Sequence, residues 1–375
     1  MVKVGAVLSL SGRFANQGEQ ARRGLVLWAE DASSAGGLPA WDRGGSSEIE
    51  LLVYDDESRS GPAAAGTERL IVEDRVDLLI GPYSSVLALA AAPVAERHHK
   101  VLWNHGGSSD AIAEAGFHFV VNVLSPASRY FVTVLEMVRA LQPATTRIAL
   151  LYGASGAFAR SVIGGAETSA RQHGFEVVFN APYAAGPTGA ASRVAEVVSH
   201  GPDVILGAGT TEADLEFARQ LKARRVRARL IGLVATPIQL FAEVLGPDAE
   251  GFVGPSQWEP SVRYRPDVGP SSAELVARFR RRFGTEADYP AAQAYAAGLV
   301  AQRCAELAGT LQDEPLRAAA DRLALTTFYG DFRLDPGTGQ QIGHQLVVVQ
   351  WQGRAKPIVW PPDVTEASLQ VPMPT

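Results

Sequence analysis

Hydroxyl-bearing residues stand in front of amphipathic helical segments at two places in the chain. Ser84 and Ser85 precede one such segment, and Thr210 and Thr211 precede another. The free N–H groups in the first turn of a helix can hold an anion, and neighbouring hydroxyls can add hydrogen bonds to it. These residues therefore suit a binding site, although the same hydroxyls could simply cap their helices.

A third segment of the same kind is Gly106-Gly107-Ser108, which follows a short apolar run. Its glycines allow a ligand to approach the backbone closely, and its serine adds another hydroxyl. Together, the three segments predict a site for a small carboxylate or amide.

Signatures of common catalytic and cofactor sites are absent from the sequence. It contains no G-x-x-x-x-G-K-[ST], no G-x-G-x-x-G after a strand and no H-E-x-x-H, and its histidines show no metal-ligand spacing. His105-Gly106-Gly107 is similar to the oxyanion loop of esterases, but the G-x-S-x-G elbow that such enzymes need is missing. The acidic run Asp55-Asp56-Glu57 favours a solvated turn over a cation site. We predict no catalytic residue, no metal and no cofactor, and keep an α/β hydrolase as a remote alternative.

The elements that must position these residues alternate between strand and helix. Residues 2–8 and 49–54 are apolar runs typical of buried strands, and apolar residues recur at helical spacing between residues 17 and 35. The next predicted elements are a helix at 61–75, a strand at 77–80, a helix at 85–97 and a strand at 101–103. Continuous apolar strands between helices indicate a parallel sheet covered on both faces.

The second half of the chain repeats the first. Three pairs of segments match in the same order: 4–15 with 148–159, 77–85 with 203–211 and, more weakly, 101–108 with 229–236. Ordered matches of this kind predict two similar α/β lobes. In open parallel sheets, ligands bind beyond the carboxyl ends of the strands, which is where the candidate residues lie.

Composition narrows the class of protein further. The chain has 375 residues, 46% of them apolar, and a net charge of -6, which suits a folded protein of about two domains and argues against a nucleic-acid partner. The single Cys304 lies in a helical pattern and is expected to be a buried, inert thiol. No apolar run is long enough to span a membrane, and a strand is predicted within a few residues of Met1, so no signal peptide is recognised. We expect a cytoplasmic chain or a mature secreted form.

The ordered set of motifs resembles the leucine/isoleucine/valine-binding protein family, the type I periplasmic solute-binding proteins of ABC importers. The motifs are VGAVLSLSG at 4–12, Gly24, GGL at 36–38, YDD at 54–56, IGPYSS at 80–85, YPAAQAY at 289–295 and FYGDF at 328–332. The likeness covers nearly the whole chain.

That resemblance implies two Rossmann-like lobes with parallel sheets, joined by three hinge crossings and closing on a small ligand. The first lobe would take about residues 1–121 and 255–327, and the second would take about 122–254 and 328–375. Because the lobes interleave along the chain, neither half alone would fold.

The resemblance also implies ligand-binding residues. In amino-acid-binding members, the ligand carboxylate is held at the positions matching Ser85, Gly106 and Ser108, and related amide sensors use an aromatic residue at the position of Tyr83. In the second lobe, a ring at the position of Phe158 covers the ligand. Gly209, Thr210 and Thr211 match another contacting loop.

Two departures from the family pattern bear on the ligand. Amino-acid-binding members place an acidic residue on the ligand ammonium, but the matching stretch 232–236 has none, so another acid must substitute or the ligand is not an α-amino acid. Glu212 and Glu259 are the candidates to substitute. The second departure consists of further residues suited to an aromatic or amide-bearing ligand, namely Trp103, Asn104 and His105 beside the site, with Gln257 and Trp258 at a hinge crossing.

The sequence thus predicts a non-enzymatic, extracytoplasmic solute-binding protein of an ABC importer. Its expected ligand is a small carboxylate or amide, such as a branched-chain or aromatic amino acid or a related acid, and its expected partners are the permease subunits. The alternative is a cytoplasmic amide-sensing regulator of the same fold.

Overall fold

The computed structural model of the protein describes residues 1–40, 45–184 and 186–372. Its strands are β1 (Val2–Leu8), β2 (Leu38–Ala40), β3 (Gly45–Ser47), β4 (Ile49–Asp55), β5 (Leu78–Ile80), β6 (Leu102–Asn104), β7 (Val120–Asn122), β8 (Arg147–Gly153), β9 (Glu176–Tyr183), β10 (Val204–Ala208), β11 (Leu230–Leu233), β12 (Val253–Ser256), β13 (Ala324–Thr327), β14 (Gly330–Arg333), β15 (Val347–Gln350) and β16 (Ile358–Trp360). Its helices are α1 (Ala15–Ser34), α2 (Ser60–Val72), α3 (Ser85–Arg97), α4 (Ala111–Glu114), α5 (Tyr130–Leu141), α6 (Ala157–Gln172), α7 (Pro187–Ser192), α8 (Val194–Ser199), α9 (Thr211–Ala223), α10 (Gln239–Leu245), α11 (Ser272–Phe283), α12 (Tyr289–Ala308) and α13 (Asp313–Arg322).

Residue contacts divide the chain into two units that alternate along the sequence. Unit 1 comprises Met1–Pro126 and Trp258–Gln345, and unit 2 comprises Ala127–Gln257 and Leu346–Thr375, of which residues 373–375 lie outside the described part. The chain therefore crosses between the units three times.

The first two crossings lie within five residues of the approximate predicted boundaries, after residues 121 and 254, whereas the third lies well beyond the boundary predicted near residue 327. The last crossing differs most, because residues 328–345 are tied to unit 1. Strand β14 pairs antiparallel with β13, and Gln341 Nε2 donates to Val123 O at 3.3 Å. Ser125 Oγ lies 2.6 Å from His344 Nδ1, which holds the end of the segment in the same unit.

Unit 1 is built on a five-stranded parallel sheet in the order β4-β1-β5-β6-β7. Its central strands are buried on both faces, as the continuous apolar runs predict. Helix α12 returns late in the chain to pack against α1, where small residues permit close approach. A Cβ added at Gly24 would overlap the backbone of Ala291, and one added at Gly298 would overlap the ring of Trp28. Cys304 of α12 is buried, and burial raises the pKa of its thiol, as expected for an inert packing residue.

Unit 2 repeats this topology and adds to it. Its sheet has the order β16-β15-β12-β11-β10-β8-β9, and the parallel part from β9 to β12 matches the order β4 to β7 of unit 1. Strands β15 and β16 extend the sheet in antiparallel directions, which the repeat does not predict because they have no counterpart in unit 1. The predicted α/β class with two Rossmann-like lobes is confirmed.

Candidate functional site

The strand order of each unit creates a crevice at one point of its sheet. In unit 1, β4 and β5 lie on opposite sides of β1, so the connections that leave β1 and β5 diverge at the carboxyl ends of the strands. In unit 2, β9 and β10 flank β8 in the same way. Such a switch point is where open α/β sheets bind ligands. The segments that the sequence analysis singled out follow β5 and β6 in unit 1, and β8 and β10 in unit 2.

The unit 1 strand-end surface consists of Tyr83, Ser84, Ser85, Gly106 and Ser108. Its two loops are joined by a parallel bridge between Tyr83 and Gly106, and Ser84 N donates to Gly106 O at 3.1 Å. Ser109 N donates to Ser85 Oγ at 2.9 Å, which fixes the Ser85 hydroxyl. The structure therefore brings Tyr83, Ser85 and Gly106 together.

Gly106 is required for this approach. A Cβ at that position would lie 2.6 Å from Tyr83 Cα and 2.7 Å from Pro82 O. Both are backbone atoms, so the contact could be relieved only by moving one loop away from the other.

Ser84 does not have the helix-capping role that its position suggests. It has a φ of 78°, a left-handed conformation that is uncommon for serine, and its side chain does not cap α3. Its Oγ is buried without a hydrogen-bond partner within the described residues. The Ser84 hydroxyl is thus an unsatisfied polar group after β5 and not a helix cap.

Asn104, a predicted ligand contact, uses its side chain to brace the loop that follows β6. It is fully buried, and Nδ2 donates to Gly107 O and Asn122 Oδ1, both at 2.7 Å. Its Oδ1 accepts from Gly107 N at 2.8 Å. These bonds make it a positioning residue for Gly106 and Ser108.

Trp103 and His105 are also fully buried. The Trp103 Nε1 and both ring nitrogens of His105 lack a hydrogen-bond partner among the residues that the structure describes. Burial lowers the pKa of His105 to about 4, and the nearby backbone of Gly81 and of His105 itself acts in the opposite direction. The imidazole is therefore neutral at physiological pH and stands behind the strand-end loop.

An aromatic cluster borders the unit 1 strand-end surface. Phe14 meets the Tyr83 ring edge-on with centroids 5.5 Å apart, and the hydroxyls of Tyr83 and Tyr289 are in contact. The Arg13 guanidinium stacks over Phe14 at 4.4 Å. Phe14 and Tyr289 are not among the residues that the sequence predicts at the site. The sequence feature that could have indicated Tyr289 is its position directly after Asp288, the residue that caps α12.

The unit 2 strand-end surface consists of Phe158, Gly209, Thr210 and Thr211. Phe158 is half-buried and meets the Tyr130 ring edge-on at 5.4 Å. Thr210 caps α9 by accepting from Ala213 N at 3.3 Å, so the plain capping role holds for this hydroxyl. Gly209 and Thr211 remain half-buried.

A buried acid lies under this surface. Asp214, on the first turn of α9, accepts from Ala235 N at 3.0 Å, and burial raises its pKa to about 8. Burial also raises the pKa of the neighbouring Tyr183, whose hydroxyl has no hydrogen-bond partner within the described residues. A Cβ at Gly209 would overlap that hydroxyl. Asp214 thus holds the loops after β10 and β11 and is not presented at the surface.

The remaining candidates lie at the second crossing or on α9. Gln257, in unit 2, donates from Nε2 to Tyr130 Oη at 3.1 Å. Trp258, in unit 1, is buried, donates from Nε1 to Ser272 Oγ at 3.3 Å and packs edge-on against Phe328. Glu259 is buried, whereas Glu212 on the first turn of α9 is exposed.

The acidic run after β4 is only partly solvated. Asp55 and Glu57 are exposed, but Asp56 is buried and accepts from Ser9 Oγ at 2.6 Å, which ties the end of β4 to the end of β1. The described residues contain no cluster of His, Cys, Asp and Glu side chains suited to a metal ion. They also contain no helix long and apolar enough to cross a membrane.

Comparisons with known proteins agree with this architecture. Residues 1–356 match the family model described as periplasmic binding protein, so the chain belongs to that family. The Leu/Ile/Val-binding protein homolog 8 of Brucella abortus is 23% identical over 294 residues, which span 76% of this chain and 71% of the relative.

Two solved structures share the fold over nearly their whole length. The LivJ substrate-binding protein of Streptococcus pneumoniae, in complex with isoleucine, has a TM-score of 0.80 at 17% identity and covers 96% of this chain and 100% of its own. A solute-binding protein of R. palustris, in complex with benzoate, has a TM-score of 0.77 at 21% identity and covers 99% of this chain and 97% of its own. The family match makes the protein a periplasmic-type binding protein, and the two solved structures show that it has the same fold.

Proposed function

We propose that the protein is the extracytoplasmic solute-binding component of an ABC importer and that it takes a small organic carboxylate. The observation that carries this proposal is the hydroxyl set of the unit 1 strand-end surface. Ser84 and Ser85 stand at the start of α3, where the free N–H groups of the first turn favour negative charge. Ser108 and the backbone of Gly106 complete the set, so a carboxylate would find several donors at once.

The body of the ligand would contact apolar and aromatic groups. Tyr83, with Phe14 and Tyr289 beside it, offers such a surface on unit 1. Phe158, packed on Tyr130, offers one on unit 2, next to Gly209 and Thr211. We propose these residues as ligand contacts. We assign a supporting role to Trp103, Asn104 and His105, which are fully buried, and to Gln257 and Trp258, whose side chains bond to Tyr130 and Ser272.

The ligand is further proposed to lack an ammonium group. No acid occurs between residues 232 and 236, and the Asp214 carboxyl is buried and holds the backbone of Ala235. An ammonium group desolvated without an acidic partner would cost several kcal/mol, of the order of 3–5 kcal/mol. An acid such as benzoate, which one structural relative binds, satisfies this requirement better than isoleucine, which another binds.

Calorimetric titration of the full chain with isoleucine, with its des-amino analogue 3-methylpentanoate and with benzoate tests the proposal. We expect the des-amino acid or benzoate to bind at least about tenfold more tightly than isoleucine, a difference of about 1.4 kcal/mol. Equal or tighter binding of isoleucine would show that an acid does meet the ammonium, with the exposed Glu212 as the first residue to test.

The site assignment is tested with Ser85→Ala. Loss of a hydroxyl that donates to a carboxylate should weaken binding about tenfold or more, since hydrogen bonds to charged groups contribute about 1.5–3 kcal/mol. Ser34→Ala is the matched control, because Ser34 Oγ bonds only to Glu30 O near the far end of α1. If Ser85→Ala keeps full affinity for the best ligand, the assignment fails.

The importer context is tested separately. Fractionation of cells that express the native gene should recover the protein outside the cytoplasm, and cross-linking should join it to a permease. Recovery in the cytoplasm with a regulatory protein would favour the amide-sensing alternative.

A further inference from the structure

A cavity lies in unit 1, away from the strand-end surface. Its volume is about 620 Å³, and it is lined by residues of the C-terminal half of α1, of α12 and α11 and of the loop at residues 268–270. Helix α1 follows Phe14 and α12 begins at Tyr289, both beside the strand-end surface, so their C-terminal halves lie toward the other end of the unit. A volume of this size falls within the range of about 300–1,000 Å³ that is typical of small-molecule sites.

The polar groups at this cavity are fixed by contacts among three helices. Asp31 of α1 pairs with Arg278 of α11 and accepts from Tyr295 Oη of α12 at 2.6 Å. Trp28 Nε1 also donates to Gln302 Oε1 at 3.2 Å, joining α1 to α12 a second time. Burial raises the pKa of Tyr295 to about 12, so its hydroxyl remains a donor to Asp31 at physiological pH. These contacts hold the three helices together around the cavity.

Of the three arginines that line the cavity, one has no ion-pair partner within the described residues. Asp31 is paired with Arg278, Glu306 with Arg303 at 2.7 Å, and Glu274 is occupied by its capping box with Ser271. Arg281 is exposed at the same cavity and has no ion pair or hydrogen bond within the described residues. Its neighbours Arg280 and Arg282 are paired with Glu286 and Glu30.

Apolar side chains supply the rest of the lining. They are Ala32, Ala35, Val268, Pro270, Ala277 and Leu299. A cavity with an apolar wall and one unpaired arginine suits a molecule that has both an apolar body and a negative charge.

We propose that this cavity binds a small organic monoanion, with the acid group on Arg281 and the apolar body beside Ala277 and Leu299. This site is separate from the proposed transport site, and the proposal does not depend on which ligand is transported.

Titration calorimetry of the full chain with the sulfonate 1-anilinonaphthalene-8-sulfonate tests the proposal, because this probe has the required chemistry. We expect Arg281→Glu to weaken binding at least about tenfold, through charge reversal at the contact. Arg280→Glu is the matched control, since Arg280 is paired with Glu286 and does not line the cavity. It should leave the affinity within about twofold of that of the unaltered protein.

A second pair of variants tests the cavity without altering charge. Ala277→Trp should fill the cavity and weaken probe binding as strongly as Arg281→Glu does. Ala273→Trp, one turn earlier on α11 and outside the lining, should leave probe binding unchanged. Both positions are exposed, so the variants should fold, as thermal unfolding will show.

The proposal is overturned if the probe does not bind the protein. It is also overturned if the probe binds the Arg281→Glu and Ala277→Trp variants as tightly as the unaltered protein. The variant Ser85→Ala should leave probe binding unchanged. If that variant alone abolishes binding, the probe occupies the strand-end surface and the second site is refuted while the proposed function stands.

Discussion

At the scale of single residues, the candidate site depends on groups that do not reach the surface. Asn104 braces the loop that carries Gly106 and Ser108, and His105 adds a neutral imidazole with no hydrogen-bond partner within the described residues. A buried, unpartnered imidazole costs free energy if it is protonated, because the charge would lose its hydration. The stability of unit 1 should therefore depend on pH in a specific way.

The substitution His105→Gln should remove an acid-sensitive component of stability. Between pH 6.5, the ordinary pKa of the imidazole, and about 4, its pKa in the folded protein, the unfolded chain binds a proton that the folded chain does not. The free energy of unfolding of the unaltered protein should thus fall as the pH is lowered through this range, by up to about 3 kcal/mol at 1.36 kcal/mol per pKa unit. Urea unfolding at a series of pH values measures this change.

Compared with the unaltered protein, His105→Gln should lose less stability between pH 7 and 4. The control His118→Gln removes an exposed imidazole and should lose as much stability between pH 7 and 4 as the unaltered protein. If His105→Gln and the unaltered protein show the same decline, His105 is not the group responsible.

At the scale of elements, the strand-end loops after β5 and β6 are built as one piece. The Tyr83–Gly106 bridge and the bond from Ser109 N to Ser85 Oγ join them. Any separation of the loops would displace the hydroxyl set from the first turn of α3. The spacing between these loops is therefore a requirement for binding as well as for stability.

The substitution Gly106→Ala should test this requirement. The added methyl group would meet backbone atoms of Tyr83 and Pro82, so we expect a loss of about 1–3 kcal/mol in the free energy of unfolding. Ligand affinity should also fall, because the loops must separate. Thermal unfolding and calorimetric titration measure the two effects.

Gly61→Ala is the control for this variant. Gly61 lies in the first turn of α2, and nothing lies within 4 Å of where its Cβ would be. The stability of the Gly61→Ala variant should be unchanged or slightly higher, since alanine is more favourable than glycine in a helix by up to about 1 kcal/mol. Normal stability and affinity in Gly106→Ala would show that the two loops tolerate separation.

At the scale of the whole molecule, each unit is assembled from distant parts of the chain. Unit 1 needs α12, whose residues Ala291 and Gly298 pack closely against Gly24 and Trp28 of α1. A fragment that ends at Pro126 would leave this face of α1 exposed to water, together with the apolar side of the sheet that it covers.

Unit 1 should fold alone only when both of its segments are present. We expect residues 1–126 by themselves to show no cooperative unfolding, and a single chain joining 1–126 to 258–345 through a flexible linker to show it. Circular dichroism during thermal unfolding distinguishes these outcomes. Cooperative unfolding of the short fragment would contradict the division of the chain.

Local patterns in the sequence account for much of this fold. Strand β1 and helix α3 have the bounds that periodicity predicts, because buried parallel strands are continuous apolar runs and helices repeat every 3.6 residues. The repeat also places the matching segments at equivalent strand ends in the two units. The individual site residues stay predictions, since hydroxyl capping and ligand binding share one sequence pattern, and of the two candidates next to α3 and α9, Ser84 and Thr210, it is Thr210 that caps its helix.

What the sequence determined by itself is the fold class, from two similar sets of parallel strands that place hydroxyls and glycines at their carboxyl ends, while its resemblance to a known family indicated the class of protein. Tertiary structure alone decided which side chains turn inward, as Trp103, Asn104 and His105 do, and which distant ones join them, as Tyr289 joins Tyr83. It also decided that residues 328–345 belong to unit 1. The physical reason is that periodicity reports local burial, whereas these outcomes depend on hydrogen bonds and packing between segments far apart in the chain.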